Sequence, residues 1–183
     1  MDKIMIIGCS GAGKSTFSTK LHEITAIELI HLDQHHWLPN WVGLNKSDWR
    51  DKVTELSEKE SWIMDGNYGG TMEIRLNKAN TIIFMDRTRW LCLYRVLKRV
   101  ITHYGKSRKD MPEGCVEKFS WEFMHYIYHY NKTRRPKILE KLSKLKTSKE
   151  IVILRSDKEI RGYLADQKKR HATLYKNNSG LIA

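Results

Sequence analysis

The chain has 183 residues, of which 40% are hydrophobic and 30% are charged. That length suits one compact domain, and this balance of apolar and charged residues excludes a disordered chain. No run approaches the ~18 consecutive apolar residues of a membrane-spanning helix, and the first residues show no signal-peptide pattern. The three cysteines follow neither a disulfide framework nor a zinc pattern, so we expect a cytoplasmic protein that has no membrane association.

The net charge of +12 is unevenly distributed along the chain. Residues 1–86 contain 9 Lys and Arg against 12 Asp and Glu, whereas residues 87–183 contain 24 against 9. A basic half of this kind attracts polyanions, either nucleotide phosphates or nucleic acid. A solvated, lysine-rich surface is the alternative, above all over residues 137–149, and composition does not decide between them.

Along the chain, apolar runs typical of buried strands alternate with segments that have helical spacing. Ser47 is the predicted cap of the second helix. Alternating strands and helices imply parallel strands joined by right-handed crossovers, hence one α/β domain over residues 1–183. The predicted strands cover residues 4–7, 28–32, 62–64, 81–85 and 151–154, and the predicted helices cover 14–24, 47–59, 89–103 and a terminal segment from about 158.

Residues 104–149 interrupt this alternation with a polar loop, an aromatic helix and a lysine-rich helix. We interpret the segment as an insertion over one end of the sheet, of which residues 104–135 or so form a lid. Aromatic residues at helical spacing usually pack in a core, although a base-stacking surface is the alternative. The aromatic residues are Phe119, Trp121, Phe123, Tyr126, Tyr128 and Tyr130.

Residues 8–15 match the phosphate-loop pattern GxxxxGK[ST] between a buried strand and a helix. Glycines let successive backbone N–H groups turn toward a phosphate, and the helix N-terminus adds a positive field. Lys14 can reach the β- and γ-phosphates, while the Ser15 hydroxyl can ligate Mg²⁺. The sequence therefore predicts that ATP and Mg²⁺ bind at Gly8, Cys9, Ser10, Gly11, Ala12, Gly13, Lys14, Ser15 and Thr16.

Two aspartates follow predicted strands, at the edge of the sheet where ligands bind in open α/β folds. Asp65 is placed to hold Mg²⁺ directly or through water, and Asp86 is similarly placed. The alternative for each is an aspartate that only forms the turn after its strand.

A polar and aromatic cluster follows the second predicted strand. A metal site is one interpretation, but the spacing matches no zinc pattern. A substrate pocket is favoured, in which Asp33 accepts a hydrogen bond from a hydroxyl or acts as a general base. The third interpretation is a purely structural loop that the tryptophans pack. The cluster contains His31, Asp33, His35, His36, Trp37 and Trp41.

Two pairs of arginines are candidates for phosphate contacts. Arg95 and Arg99 lie four residues apart on a predicted helix and share one face, and Arg134 and Arg135 follow the aromatic helix. The planar guanidinium suits phosphate oxygens and stabilises charge that moves during phosphoryl transfer. A solvated basic face is the alternative for both pairs.

Together these residues resemble the adenylate-kinase-like nucleoside and small-molecule kinases of the P-loop superfamily, and most closely the bacterial topology modulation proteins. The phosphate loop alone identifies only the superfamily. The motifs at residues 65–68, after the third strand, and 95–99, on the long helix, narrow the resemblance to this group of kinases. The matching features span most of residues 1–100 and comprise residues 8–16, 31–33, Trp37, Trp41, 62–68, Arg75 and 95–99.

The resemblance implies a three-layer fold with a five-stranded parallel sheet in the order 2-3-1-4-5, helices on both faces and a helical lid. It makes Arg95 an adenine-stacking residue, Arg99 a phosphate-binding residue, and Arg134 and Arg135 lid arginines. The substrate-binding residues that we expect are Asp33, His35, Asn67, Tyr68 and Arg75.

The chain also departs from its relatives. It lacks the Thr-x-Gly-x-x-Arg pattern with which adenylate kinases hold AMP, the arginine of their Asp-Gly-Phe-Pro-Arg stretch, and the triple glycine of shikimate kinases. These departures argue against AMP and shikimate as acceptors.

We therefore predict an ATP- and Mg²⁺-dependent phosphotransferase that acts on a nucleotide or another small-molecule acceptor. Its expected catalytic residues are Lys14, Asp33, Arg99, Arg134 and Arg135. The alternatives are an ATP-binding, nucleic-acid-associated regulator with little catalysis, and an ATPase. We expect a monomer or a homodimer, with at most weak, non-specific binding to nucleic acid.

Overall fold

A computed structural model describes residues 2–108 and 110–179, with side chains up to residue 173. Five parallel strands form the main sheet, in the order β2-β5-β1-β6-β7, while β3 and β4 form a separate antiparallel hairpin. Counted among themselves, the five sheet strands have the order 2-3-1-4-5. The strands are β1 (Lys3–Gly8), β2 (Leu29–His31), β3 (Trp37–Leu38), β4 (Val42–Gly43), β5 (Trp62–Asp65), β6 (Thr81–Met85) and β7 (Glu150–Leu154).

Every residue of β5 and β6 is buried, as are five of the six residues of β1. Successive side chains of a strand point to opposite faces, so burial at every position requires cover on both faces of the sheet. The predicted α/β fold class, with a parallel sheet between layers of helices, is confirmed.

The helices supply that cover, and α1 packs against α8 while α5 packs against α6. Within the described part of the chain, no helix has both the length and the apolar character needed to cross a membrane. The helices are α1 (Lys14–Thr25), α2 (Leu32–His36), α3 (Lys46–Glu58), α4 (Met72–Lys78), α5 (Arg89–His103), α6 (Trp121–Thr133), α7 (Arg135–Leu145) and α8 (Asp157–Ser179).

Two predicted boundaries are wrong. Helix α3 begins before Ser47, because the Asn45 side chain accepts a hydrogen bond from the Asp48 amide at 2.9 Å and caps the helix. Strand β2 ends at His31, since Leu32 already begins α2. Asp33 therefore lies on a short helix rather than in a loop.

The aromatic helix divides between core and surface. Helix α6 buries Met124, Ile127 and Tyr130 in the core, whereas Trp121 at its start is 79% exposed. Because α6 also packs against α5, the second half of the predicted lid belongs to the body of the domain. The segment outside that body is the loop formed by residues 104–108 and 110–118, called the lid loop below.

Candidate active site

A cavity of about 1050 Å³ lies at the carboxyl ends of the sheet strands. Residues that follow β1, β2 and β5 line it, as expected for a ligand site in an open parallel sheet. The lid loop closes part of its rim. The predicted site residues that line it are Ser10, Gly11, Gly13, Lys14, Ser15, Thr16, Asp33, Asp65, Asn67, Tyr68, Arg95 and Arg99.

The phosphate loop passes so close to its neighbours that two positions accept only glycine. A Cβ atom on Gly8 would lie 2.6 Å from the Met85 carbonyl oxygen, and one on Gly11 would lie 2.5 Å from that of Cys92. Both glycines also have positive φ angles, +153° and +81°. The loop is therefore held against β6 and α5, with its backbone curved around one end of the cavity.

Lys14 and Asn67 secure this loop from two sides. The Lys14 ammonium donates to the carbonyl oxygens of Gly8 at 3.0 Å and Cys9 at 3.2 Å. The Asn67 side chain accepts from the Gly8 amide at 3.0 Å and donates to the Gly8 carbonyl at 2.8 Å. Helix α1 starts at Lys14, and no side chain caps its N-terminus in the described structure. The positive end of the helix thus faces the cavity.

Asp65 is 5% exposed and has a hydrogen-bond partner at each carboxylate oxygen. Ser18 donates its hydroxyl to Oδ2 at 2.8 Å, and His31 Nδ1 lies 3.0 Å from Oδ1. Burial lowers the pKa of His31, but the hydrogen bond and charge of Asp65 outweigh it, with Asp110 and Asp33 adding to them. The pKa of His31 is therefore raised, which favours a charged His31–Asp65 pair.

Asp33 and Tyr68 are joined across the cavity wall, since the Tyr68 hydroxyl donates to Asp33 Oδ1. Burial, and then the charge of Asp33, raise the pKa of Tyr68, so the phenol keeps its proton and remains a donor. Tyr68 adopts a left-handed backbone with φ of 35°. A non-glycine residue in that conformation is strained, and such strain is concentrated at functional sites.

Arg75 does not reach the cavity, contrary to its predicted contact with substrate. Its side chain is fully buried and donates to the carbonyl oxygens of Gly66 at 2.8 Å, Asn67 at 2.6 Å and Tyr68 at 3.2 Å. Burial lowers the pKa of Arg75 to about 9, which still leaves it protonated at neutral pH. Arg75 positions the loop that presents Asn67 and Tyr68.

The structure also places two histidines away from the cavity. His35 is outside the lining, and burial followed by the charge of Lys52 on α3 lowers its pKa. The His36 ring packs edge-on against three aromatic rings at 4.7–4.8 Å, those of Trp37, Trp49 and Tyr68. Within the part of the chain described, no three His, Cys, Asp or Glu side chains group as a metal site.

Arg95 and Arg99 reach the cavity from α5. Arg95 lies 3.5 Å from the Ala12 carbonyl and 3.4 Å from Asp157. Arg99 forms an ion pair with the buried Glu117 at 2.9 Å. Burial, and then the charge of Arg108, lower the pKa of Arg99. Arg95 thus holds positive charge beside the phosphate loop, and Arg99 holds it at the cavity wall next to the lid loop.

Arg134 and Arg135 lie outside the cavity lining. Arg135 donates two hydrogen bonds to the Asp86 carboxylate, at 2.6 and 2.8 Å, and this pairing raises the pKa of Arg135. Arg155 approaches the same carboxylate at 3.5 Å. Asp86 therefore anchors α7 and lies outside the cavity lining, while Arg134 is exposed at the end of α6.

Sequence reasoning missed the contact between the lid loop and residues 37–43, called the β3–β4 hairpin below. The Trp41 indole donates to the Val116 carbonyl at 2.9 Å, and the Asn40 amide donates to the Gly114 carbonyl at 3.2 Å. Asn40 and Trp41 both have positive φ angles. Glu117 then links the lid loop to α5 through Arg99. The hairpin and lid-loop partners are about 75 residues apart, so no local pattern signals their contact.

No model of a protein family and no curated protein sequence matches the chain. Among solved structures it is similar to a shikimate kinase from Acinetobacter baumannii in complex with shikimate. The TM-score is 0.57 at 18% identity, over 96% of this chain and 94% of that one. It is also similar to a gluconokinase from Sinorhizobium meliloti 1021, with a TM-score of 0.53 at 15% identity, over 96% and 97%. The chain therefore has the P-loop kinase fold.

Proposed function

We propose that this protein is an ATP- and Mg²⁺-dependent phosphotransferase that acts on a hydroxyl of a small molecule. The observation that carries the proposal is that the phosphate loop with Lys14 and the carboxylate of Asp33 line one cavity. A phosphate-binding end and a candidate base in the same enclosure are what transfer to a second substrate requires. The kinase fold supports this function.

The phosphate loop fits a nucleoside triphosphate. The Lys14 ammonium donates to the carbonyl oxygens of Gly8 and Cys9. A bound phosphate would replace them with charged acceptors, which form stronger hydrogen bonds with the ammonium. The uncapped N-terminus of α1 supplies further donors. Arg95 and Arg99 add positive charge on the side of α5, where the adenine and the outer phosphates would lie.

The donor set around Ser15 fits Mg²⁺ held largely by phosphate oxygens and water. The Ser15 hydroxyl would contact the ion directly. Asp65 would contact it through water, because its two oxygens are already bonded to Ser18 and His31. When bound, the ion would neutralise charge that develops on the transferring phosphate.

Asp33 is the residue that we assign to the acceptor. Its carboxylate would accept the proton of the acceptor hydroxyl as the oxygen bonds to the γ-phosphorus and the bond to the β-phosphate oxygen breaks. Tyr68 fixes the orientation of that carboxylate through Oδ1. Arg135 is bonded to Asp86 outside the cavity lining, whereas Arg99 lines the cavity beside its partner Glu117, so we place the charge-stabilising role on Arg99.

The lid loop is the segment that we expect to move. It is tied to the β3–β4 hairpin by three hydrogen bonds, from Trp41, Asn40 and the Cys115 thiol, and opening them would admit substrate. Lids of this kind exclude water and complete a site on closure. Hydrogen exchange in residues 104–118 should slow when a bisubstrate analogue is added, while exchange in α6 changes little. Unchanged protection of the lid loop would contradict a lid.

Titration calorimetry with ATP and Mg²⁺ tests the nucleotide end. Lys14→Ala should weaken ATP binding by about a hundredfold or more, because it removes the central charge of the phosphate site. Binding of adenosine should change much less. Lys20→Ala is the matched control, since Lys20 is an exposed lysine on the same helix. Equal ATP affinity in the wild type and in Lys14→Ala would contradict the proposal.

Nucleic-acid binding is a lesser proposal, supported by the basic surplus of residues 87–183. Several of its arginines already pair with carboxylates, such as Arg87 with Asp157 and Arg99 with Glu117. We therefore expect weak binding that falls steeply with salt, because each neutralised phosphate releases counterions. Tight binding of one sequence at physiological salt would favour the regulator over the kinase. We also propose that the chain is related to the topology modulation proteins and is located in the cytoplasm.

A further inference from the structure

Helix α5 has two different faces. One face carries Arg95 and Arg99 toward the cavity and buries Cys92, Val96 and Val100. The opposite face presents a row of large apolar side chains to solvent, called the α5 stripe below. The stripe consists of Trp90 (62% exposed), Tyr94 (61%), Leu97 (39%) and Ile101 (78%) on α5, and of Tyr104 (68%), which directly follows the helix and begins the lid loop.

The spacing of the α5 stripe is that of a helix–helix seam. Its members follow one another at intervals of four, three, four and three residues, the alternation of positions d and a in a heptad repeat. No member carries a charge. Solvated helix faces of globular domains are normally polar, so an apolar row at this spacing indicates a surface that packs against another helix.

The first ring of the stripe is already held in place. The Arg89 guanidinium lies over the rings of Trp90 at 5.1 Å and Tyr128 at 4.7 Å, and those two rings meet edge to face at 5.8 Å. Tyr128 thereby extends the apolar surface from α5 onto α6. A side chain that is fixed before binding loses little conformational entropy when a partner arrives.

The exposed area of the α5 stripe is close to the area that each partner buries in a stable dimer. Aromatic side chains bury about 150–250 Å² each, so the exposed fractions of the stripe and Tyr128 amount to roughly 600–700 Å². Standard interfaces bury about 800 Å² on each partner, and the rim of polar residues around a seam supplies the remainder. The stripe is therefore large enough to be the centre of a stable interface.

We infer that the α5 stripe is a self-association surface on which a second copy of this chain packs its own α5 in antiparallel orientation. A two-fold axis between residues 95 and 96 places Trp90 opposite the partner's Ile101 and Tyr94 opposite the partner's Leu97. Each layer then combines a large ring with a smaller aliphatic group, which suits close packing. A two-fold interface of this kind is closed, so association stops at the dimer.

The neighbours of the seam identify the occupant as apolar rather than acidic. Leu91 and Leu93, both half-buried, flank the stripe together with one exposed lysine, Lys98, whereas Val100 lies in the core. An interface of this composition is held by apolar burial and is insensitive to salt, whereas an acidic partner or an anionic lipid surface would be released by salt. Salt dependence therefore separates these occupants.

Sedimentation equilibrium of the full chain tests the inference. A dimer should form at micromolar concentration and persist at 0.1 and 1 M NaCl. Ile101→Glu should weaken it at least ~30-fold, as expected for a central interface residue changed on both copies. Val42→Glu is the matched control, because Val42 is an exposed branched residue on β4 and should leave the dimer intact. A monomer throughout, or a dimer unaffected by Ile101→Glu, would overturn the inference.

Cross-linking tests the orientation. A 1:1 mixture of Trp90→Cys and Ile101→Cys chains should cross-link through a short thiol-reactive linker, whereas either variant alone should not. In the antiparallel pair two copies of residue 90 are about 16 Å apart along the helix axis, from 1.5 Å per residue. The wild type is the background control, since its three cysteines are buried. Cross-linking of each variant with itself would show a parallel pair and contradict the proposed register.

Discussion

The phosphate loop and the wall that faces it are built in different ways. The loop is folded mainly by neighbouring residues, as Lys14 bonds to carbonyls five and six residues away and α1 begins at once, with Asn67 as a distant side-chain hydrogen-bond partner. The opposite wall joins distant segments, since Trp41 bonds to Val116 and Tyr68 bonds to Asp33. The first construction is local and the second is assembled by the fold.

This difference separates the recognition of phosphate by the loop from the recognition of the acceptor by the wall. A loop that forms from eight consecutive residues can be shared by proteins with unrelated acceptors, because it recognises only phosphate. A wall assembled from the β3–β4 hairpin, the lid loop and the Tyr68 loop can vary with the acceptor. We therefore expect substitutions in the wall to change transfer while ATP binding persists.

The largest such effect is expected at Asp33. Asp33→Asn should reduce transfer to the acceptor by ~10²-fold or more, the usual range for a general base, and should leave background ATP hydrolysis nearly unchanged. Asp65→Asn should instead raise the Mg²⁺ concentration that any turnover requires. Labelled ATP with separate detection of transfer and hydrolysis measures both. Parallel loss of the two activities in both variants would contradict this division of roles.

Arg75 is the buried support of the wall. Arg75→Met leaves three carbonyl oxygens without their donor and should cost at least about 3 kcal/mol of unfolding free energy, since each buried acceptor left unpaired costs ~1–3 kcal/mol. Urea denaturation measures the change. Arg50→Met, at an exposed arginine of α3, should stay within ~0.5 kcal/mol of the wild type. Equal stability of the two variants would refute the supporting role of Arg75.

A smaller effect is expected at the contact between the hairpin and the lid loop. Trp41→Phe keeps an aromatic ring but removes the donor to Val116, a loss of about 1 kcal/mol or ~5-fold in the opening equilibrium. Hydrogen exchange in residues 104–118 should speed up by about that factor. Residues 121–133 of α6 are the internal control. An equal acceleration in both segments would indicate general destabilisation instead.

The smallest effect is a pH dependence of stability at His31. The folded-state pKa of His31 lies above its usual value of 6.5, so the folded protein binds this proton more tightly than the unfolded chain. The stabilisation is complete below pH 6.5 and is lost as the pH rises through the folded-state pKa. The difference in unfolding free energy between the wild type and His31→Gln should therefore shrink with rising pH. A difference that stays constant from pH 5.5 to 8.5 would contradict a charged pair with Asp65.

The sequence was sufficient wherever structure follows from neighbouring residues. Strand β6 and helix α5 have the predicted bounds, and the phosphate loop lies where its pattern places it. The positions of Arg75 and Arg135 differ from expectation, because an arginine side chain alone suggests a phosphate contact. In the fold, Arg75 bonds to backbone carbonyls and Arg135 bonds to Asp86, and other segments of the chain supply these partners. The α5 stripe is readable as a heptad in the sequence, but only the fold shows which side of the helix is exposed.

The most direct measurement of the central claim is a transfer screen with γ-labelled ATP against nucleosides, nucleotides and small alcohols. We predict that the wild type moves the label to a hydroxyl of at least one acceptor, that Asp33→Asn retains ATP binding without this transfer, and that Lys14→Ala loses both. Label found only in inorganic phosphate, whatever acceptor is present, would contradict a phosphotransferase and identify an ATPase.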